Sequence, residues 1–290
     1  MRSGISYWSM PGGLEGACPL ETALELTKAN HFDVLELCLG SEGVVHPRLT
    51  EQECTAARRK IDNARVSVET LASGLSWGDN PVSNSPEIRE KSIEMHERGL
   101  QCAAWLGCEA MLMVPGVVTS PISPGERVRY DHAIRRAREN VSRLLRTAER
   151  VGVHLCLENV WNGLFYSPLE FIDFVDQFGS ERLGIYFDVG NLLGYQQHPP
   201  HWVELLGERI KRVHVKGFRE NFGFSGTYEF SELAESDVPL LDTIRALQAV
   251  GYDSTVVAEM LPFHEGLLES TSATLNRALI GTCSGFAAAK

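Results

Sequence analysis

Three carboxylates and one imidazole stand at or near the ends of four short apolar runs in the second half of the chain. Glu158 follows LCL, Asp188 follows IYF, His214 lies within RVHVK, and Glu259 follows TVVA. Each run is typical of a buried β-strand, and a carboxylate buried there without a partner is costly because it loses its hydration. These groups are also the ligands that hard to borderline divalent metals prefer. Any one of them could be an unrelated charged strand end, but four in consecutive strands favour one shared cation.

Short apolar runs alternate with longer amphipathic segments along the whole chain, which predicts eight strands separated by helices. The predicted strands span residues 5–8, 34–37, 66–71, 110–114, 154–157, 184–187, 212–215 and 255–258. Capping residues predict three helix starts, at Thr50 with Glu53, at Ser85 with Pro86, and at Ser167 with Pro168 and Glu170. Glycines suited to left-handed helix ends follow four amphipathic runs, at Gly107, Gly152, Gly179 and Gly251.

Eight strand–helix repeats with short connections predict an α/β fold, a single-domain (β/α)8 TIM barrel. We expect the barrel to span residues 1–280 and residues 281–290 to form a C-terminal tail. Two long segments, 115–130 and 217–239, follow the fourth and seventh predicted strands. They lie at the face where barrel enzymes build their sites, so both are candidates for a lid over a substrate.

Composition limits the classes of partner. The chain has 290 residues and a formal net charge of −11, which argues against a protein that binds nucleic acid through its phosphates. No apolar run is long enough to span a membrane, and the first residues lack the pattern of a signal peptide. Seven scattered cysteines without a CxxC pair predict reduced thiols and a cytoplasmic location.

Several segments resemble the xylose-isomerase-like superfamily of sugar phosphate isomerases and epimerases. The late motifs GIYFDVGN, RIKRVHVKGF and VVAEM look like its signature segments, and ENVWNGLFYSPLEF, SYWSMPGGL and LASGLSWG resemble one bacterial branch. The resemblance implies a TIM barrel that binds one divalent ion, usually Mn²⁺, Mg²⁺, Co²⁺ or Zn²⁺. It also implies a small sugar or sugar phosphate as substrate and a homodimer or homotetramer as the assembly.

The resemblance also implies a role for each of the four residues. Glu158 and Glu259 would bind the metal and act as the acid–base pair, while Asp188 and His214 would complete the metal shell. Proton removal next to a carbonyl or hydroxyl gives an enediolate, whose negative charge a cation stabilises. Epimerisation needs a base on one face of the carbon and an acid on the other, which two glutamates can supply.

Two positions depart from the pattern of free-sugar ketose epimerases. Asn191 stands where those enzymes have a histidine, and Glu220, beside Arg219, stands where they have an arginine. The DVGN motif that ends in Asn191 is closer to that of pentulose-5-phosphate 3-epimerases. The departures leave the expected metal shell unchanged, but the substrate contacts of relatives cannot be carried over.

Further polar and aromatic residues near strand ends are candidates for binding the substrate. The set comprises Trp8, Trp161, Asn162, Asn191, Lys216 and Arg219. The tryptophans could pack against a sugar ring or simply fill the interior. Lys216 could bind a substrate oxygen or pair with a neighbouring carboxylate, and Arg219 could bind a phosphate or stay in solvent. Glu36, inside the second predicted strand, could close the barrel floor or line the pocket.

Isomerisation of an aldose to a ketose and 3-epimerisation share an enediolate, so the site predicts both without separating them. The first alternative is a dehydratase or lyase acting on a keto-sugar or inosose, in which a β-hydroxyl leaves after proton removal. The second is a barrel that binds a sugar without turnover. An apurinic endonuclease is disfavoured by the acidic charge and by Asn191, which replaces a histidine that its metal cluster needs.

Overall fold

The computed structural model describes residues 1–123, 125–220 and 228–283. Within these ranges the strands are β1 (Arg2–Ser6), β2 (Val34–Leu39), β3 (Thr70–Ser73), β4 (Ala110–Met113), β5 (His154–Glu158), β6 (Leu183–Asp188), β7 (Ile210–Val215), β8 (Phe218–Glu220), β9 (Tyr228–Phe230) and β10 (Thr255–Ala258). The helices are α1 (Leu20–Ala29), α2 (Glu51–Ala64), α3 (Pro86–Leu106), α4 (Tyr130–Val151), α5 (Pro168–Asp176), α6 (Val189–Leu193), α7 (Pro199–Leu206), α8 (Leu240–Ala249) and α9 (Leu267–Cys283).

Eight of the strands form a closed parallel barrel in the order β1, β2, β3, β4, β5, β6, β7, β10. Strand β10 closes it by pairing with both β7 and β1. Their side chains are almost all buried because one face points into the barrel and the other packs against the outer helices. The single-domain (β/α)8 prediction is confirmed, and none of the helices described here is both long and apolar enough to cross a membrane.

The predicted capping residues begin their helices as expected. Thr50 and Glu53 form a reciprocal capping box at α2, and the side chains of Ser85 and Ser167 cap α3 and α5. Glu170 does not complete a second capping box, because it accepts a hydrogen bond from the hydroxyl of Tyr130 instead. The four predicted glycines all have positive φ, at Gly107, Gly152, Gly179 and Gly251.

Two strand predictions differ from the structure by more than two residues at one end. The first strand begins at Arg2 rather than residue 5, and it ends at Ser6 rather than residue 8 because the Ser6 side chain accepts a hydrogen bond from the backbone of Trp8 and starts a short 3-10 helix, Tyr7–Ser9. The third begins at Thr70 rather than residue 66, since before it only Ser67 forms an isolated bridge, to Val34.

The segment after β7 is not simply a loop, because β8 and β9 pair as an antiparallel hairpin within it. Gly217, just before β8, allows a close approach, since a Cβ there would lie 2.0 Å from the carbonyl oxygen of Ser231. Residues 221–227, the middle of the predicted lid, lie outside the described residues, as do residues 284–290 of the predicted tail. Helix α9 continues to Cys283, so the first residues assigned to that tail are helical.

Candidate metal centre

The four predicted ligands meet at the C-terminal end of the barrel. Glu158 ends β5, Asp188 ends β6, His214 is the penultimate residue of β7, and Glu259 directly follows β10. Strand register aligns them, because Asp188 pairs with His214 across β6 and β7, and the Glu259 amide donates to the Val215 carbonyl at 2.9 Å. One ligand atom from each residue lies within 4.8 Å of the others, and all four side chains are buried.

The cluster has the donor set and an unpaired atom expected of a metal site. His214 Nδ1 lies 3.3 Å from Glu259 Oε2, 3.8 Å from Glu158 Oε1 and 4.0 Å from Asp188 Oδ2. Among the described groups, His214 Nδ1 is buried without a hydrogen bond, and Asp188 Oδ2 and Glu259 Oε2 have the ammonium of Lys216 as their ion-pair partner. Buried polar atoms seldom stay unpaired, because desolvation then goes uncompensated. Three carboxylates and an imidazole therefore fit a divalent cation bound among them.

Lys216 lies beside two of the three carboxylates. Its Nζ is 2.8 Å from Glu259 Oε2 and 3.0 Å from Asp188 Oδ2, distances at which the groups form ion pairs. Gly190 makes room for this side chain, since a Cβ at Gly190 would lie 2.3 Å from Lys216 Cγ. Although burial opposes its charge, these carboxylates raise the pKa of Lys216. Lys216 therefore offsets part of the negative charge of the cluster.

The two glutamates have different electrostatic environments before any metal binds. Burial raises the pKa of Glu158 to about 7. Glu259 is equally buried, but its contacts with Lys216 and His214 outweigh desolvation and lower its pKa to about 2. Burial also raises the pKa of Asp188. For His214, burial is outweighed by Glu36 and the ligand carboxylates, which raise the pKa of the imidazole.

Two asparagines hold the ends of β5 and β6 together. Asn159 donates to the Asp188 carbonyl at 2.7 Å and accepts from the Asp188 amide at 2.9 Å. Asn191 donates from its side chain to the Asn159 carbonyl at 3.0 Å and to Glu158 Oε1 at 3.5 Å. Its backbone amide donates to Asp188 Oδ1 at 2.8 Å. Asn191, predicted as a substrate contact, thus touches two ligand carboxylates, whereas the sequence analysis did not single out Asn159.

The other predicted substrate contacts are dispersed. Lys216 touches the cluster directly, but Arg219 points to Glu235, with an N–O distance of 2.8 Å. The amide of Asn162 is buried and hydrogen-bonded to the backbone of Gly116 and Leu164. Trp8 is half-buried at the end of β1 and lines a cavity of about 120 Å³ with Cys38.

Trp161 belongs to an aromatic cluster next to the candidate metal ligands. Its ring stacks on Phe230 with centroids 5.9 Å apart and meets the edge of Phe218 at 5.4 Å. Phe230 in turn lies 5.9 Å from Lys216 Nζ. Trp161 Nε1 donates to the Asn191 carbonyl at 2.9 Å. The β8–β9 hairpin thus places the apolar ring of Phe230 against the ammonium group of Lys216, which contacts Asp188 and Glu259.

Glu36 is a buried residue of the site whose role the sequence alone left open. It lies in β2, fully buried, with Oε1 2.7 Å from His214 Nε2. The signal was a charged residue inside an apolar strand, VLELCL, but its partner is 178 residues away and could not be read from the sequence. Glu36 therefore contacts a ligand side chain rather than the solvent-facing pocket.

Comparisons with known proteins agree on the fold. The family model of the xylose isomerase-like TIM barrel matches residues 24–276. Among curated proteins, none matches the chain significantly. A D-tagatose 3-epimerase-like protein superposes with a TM-score of 0.78 at 19% identity, covering 99% of this chain and 100% of its own.

Two further solved structures show the same likeness. D-psicose 3-epimerase from Clostridium cellulolyticum H10 has a TM-score of 0.78 at 18% identity and covers 97% of this chain and 99% of its own. An L-ribulose 3-epimerase has a TM-score of 0.79 at 16% identity, with 100% and 98% covered. These likenesses extend over whole chains and concern the fold, while the family match includes the segments that carry all four ligands. The chain belongs to the xylose isomerase-like TIM barrel family.

Proposed function

We propose that this protein is a divalent-metal-dependent sugar isomerase or epimerase that moves a proton at a carbon next to a carbonyl group. The observation that carries the proposal is the buried cluster of Glu158, Asp188, His214 and Glu259 at the C-terminal end of the barrel. The solved neighbours named as ketose 3-epimerases support the same reaction class, with ketose 3-epimerisation or aldose–ketose isomerisation as the two forms.

Those four side chains would hold the ion, and Mn²⁺ is our first choice among Mn²⁺, Mg²⁺, Co²⁺ and Zn²⁺ because carboxylates dominate the donor set. When bound, such a cation stabilises negative charge that develops on substrate oxygens. The protein itself would move the proton. Glu158 and Glu259 come from strands separated by β6 and β7, so they approach a substrate from different sides.

The contact with Lys216 distinguishes the two glutamates. Lys216 lies 2.8 Å from Glu259 but is not in ion-pair contact with Glu158 among the described groups, which favours the ionised form of Glu259. A base and an acid with separate environments suit a reaction that removes a proton on one face and returns it on the other. Trp161 and Phe230 supply an apolar surface for the C–H face of a sugar.

Charges around the barrel mouth favour an uncharged sugar over a sugar phosphate. The cations in the loops that follow barrel strands are Arg48, Arg127, Arg129, Lys216 and Arg219. Four of these five form ion pairs with nearby carboxylates. The fifth, Arg127, lines a cavity of about 460 Å³ with Trp161 and is the candidate to contact a phosphate if one is present. A phosphate would otherwise have to displace an existing ion pair.

Metal analysis followed by a substrate screen in deuterated water tests the proposal. Each ketose is paired with its phosphorylated counterpart, and deuterium at one carbon locates the abstracted proton. We expect Glu158→Gln and Glu259→Gln each to lower turnover by about 10²–10⁴-fold, the usual contribution of a general acid or base. Circular dichroism of each variant serves as the folding control.

Either variant turning over at a near-native rate would refute the acid–base assignment. An enone product in place of an isomer would instead identify a dehydratase. Binding of a sugar without exchange or turnover in the metal-loaded protein would identify a non-catalytic barrel.

Location and assembly are also proposals. The six cysteines whose side chains the structure describes are free and buried, which supports a reducing, cytoplasmic setting. We propose a homodimer or homotetramer with a small-molecule partner and without nucleic acid or membrane partners. Light scattering after size-exclusion chromatography measures the assembly.

A further inference from the structure

We propose that Glu36 is a positioning residue that holds the His214 ring with Nε2 protonated, so that Nδ1 is the metal-binding atom. This inference rests on the proposed metal site and adds a residue outside the ligand set. Glu36 is fully buried in the middle of β2. A buried carboxylate needs donors to offset its lost hydration, so the identity of those donors reveals its role.

Three donors surround the carboxylate. Thr70 Oγ1 donates to Oε2 at 2.8 Å, and the Tyr186 hydroxyl donates to the same oxygen. His214 Nε2 lies 2.7 Å from the other oxygen, Oε1. The two hydroxyls share Oε2, and within the described part of the chain Oε1 contacts only the imidazole. The hydroxyls of Thr70 and Tyr186 therefore hold the carboxylate through Oε2, and the carboxylate holds the His214 ring through Oε1.

The donor and acceptor roles in this hydrogen bond give the tautomer of His214. An ionised carboxylate only accepts hydrogen bonds, so Nε2 must carry the proton in the contact with Oε1. In a neutral ring the other nitrogen, Nδ1, then has a lone pair free to bind a cation. Nδ1 is the atom that faces Glu158, Asp188 and Glu259, and no described residue forms a hydrogen bond with it. The same carboxylate–histidine–metal relay orients ligands in many metal sites.

The contacts form a layer directly beneath the ligands. Tyr186 precedes Asp188 by two residues on β6, so both side chains point into the barrel. Glu36 and Thr70 come from β2 and β3, on the opposite side of the barrel from β6 and β7. The layer thus connects the ligand strands to the half of the barrel that contributes no ligand. It holds His214 from below while the ligand atoms converge above.

Glu36→Gln tests the inference, because it keeps the shape but exchanges one acceptor oxygen for a donor NH2. We expect Co²⁺ and Mn²⁺ to bind about 10–100-fold more weakly by calorimetry, the usual effect of losing an outer-shell partner. The visible spectrum of the Co²⁺-loaded protein should also change. Tyr186→Phe is the matched control, since it removes one donor to Glu36 but leaves the His214 contact. We expect its metal affinity to stay within about threefold of the wild type, given the small effect of one hydrogen bond.

A direct measurement covers the case in which Glu36→Gln fails to fold. In the Zn²⁺-loaded wild-type protein, ¹⁵N NMR of histidine side chains should show His214 protonated at Nε2 and bound through Nδ1, with His214→Gln assigning the signal. The opposite tautomer would overturn the inference. A Glu36→Gln variant with the metal affinity and Co²⁺ spectrum of the wild type would also overturn the inference. If Glu158→Gln lost the metal in the same experiment, the proposed function would still stand. If the wild-type protein bound no divalent metal, both would fail.

Discussion

The charge balance of individual residues explains why the cluster favours a cation. Glu158, Asp188 and Glu259 bring three carboxylates into one buried space, and Lys216 contacts only the last two. One ammonium cannot offset three carboxylates, so the protein must either bind protons or bind a positive ion there. The raised pKa of Glu158, about 7, reflects that burial. Protons and a bound metal would therefore compete for the same oxygens.

That competition predicts a pH-dependent metal affinity. Since metal ligands must be deprotonated, each proton displaced makes the affinity fall by about tenfold per pH unit once the solution pH is below the pKa of the ligand. With the pKa of Glu158 near 7 and that of His214 raised, Mn²⁺ should bind progressively more weakly from pH 8 to pH 5. Calorimetry in buffers with different ionisation heats measures both the affinity and the protons released.

Affinity that stays constant from pH 8 to pH 5, with no proton release, would contradict this competition. Glu36→Gln serves as a second comparison, because its weaker binding should keep a pH dependence from Glu158. A variant that loses both affinity and the pH dependence would instead indicate a collapsed site.

At the scale of the elements, the eight barrel strands and the helix caps were predictable, but some strand boundaries and the contacts across the barrel were not. The four candidate ligands could be proposed from the sequence because each lies in or directly after a recognisable apolar run, and the caps at Thr50 and Ser85 because capping is local. The roles of Glu36 and Asn159 depend on which strands lie opposite or beside them. The β8–β9 hairpin was not predicted, because each of its strands has only three residues and Phe218 pairs with Phe230 across a longer connection.

One such non-local contact, between α3 and the last residue of β3, should make stability depend on pH. His96 on α3 is fully buried, with Nε2 3.1 Å from Ser73 Oγ and Nδ1 2.7 Å from the Ser92 carbonyl oxygen. Burial lowers its pKa from 6.5 to about 4. The unfolded chain therefore binds a proton that the folded protein does not between these values, so stability falls as pH drops from 6.5 to 4.

The loss from this one group amounts to about 3 kcal/mol at most. Urea unfolding of wild type and His96→Gln at pH 7, 6, 5 and 4 measures it as the difference between their pH slopes. His201→Gln, at an exposed position on α7, is the control and should keep the wild-type slope. Equal slopes in the wild type and His96→Gln would show that His96 does not carry the effect.

For the whole molecule, the regular alternation of elements was enough to predict a closed barrel, since eight strand–helix repeats have few other ways to bury both faces of a parallel sheet. Closure then brings together residues as distant in sequence as Glu158 and Glu259. The surroundings of the predicted substrate contacts were harder to predict, because they depend on loop conformation. Arg219 pairs with Glu235 and Asn162 with backbone atoms, and no local sequence pattern indicates either partner.

Since the four proposed ligands lie in or directly after four different strands, β5, β6, β7 and β10, a bound metal should stabilise the entire barrel. A ligand that binds only the folded state adds about 2.7 kcal/mol at a concentration of 100 times its Kd. For a domain of this size that corresponds to a Tm increase of roughly 5 °C. Thermal unfolding in EDTA and in excess MnCl2 measures the increase.

Glu158→Gln should lose most of this Tm increase. Thr50→Ala, which removes only the α2 cap, should keep the increase while lowering the Tm values with and without metal. Because four strands share the ion, an increase in the wild type that Glu158→Gln fully retained would place the stabilising metal elsewhere.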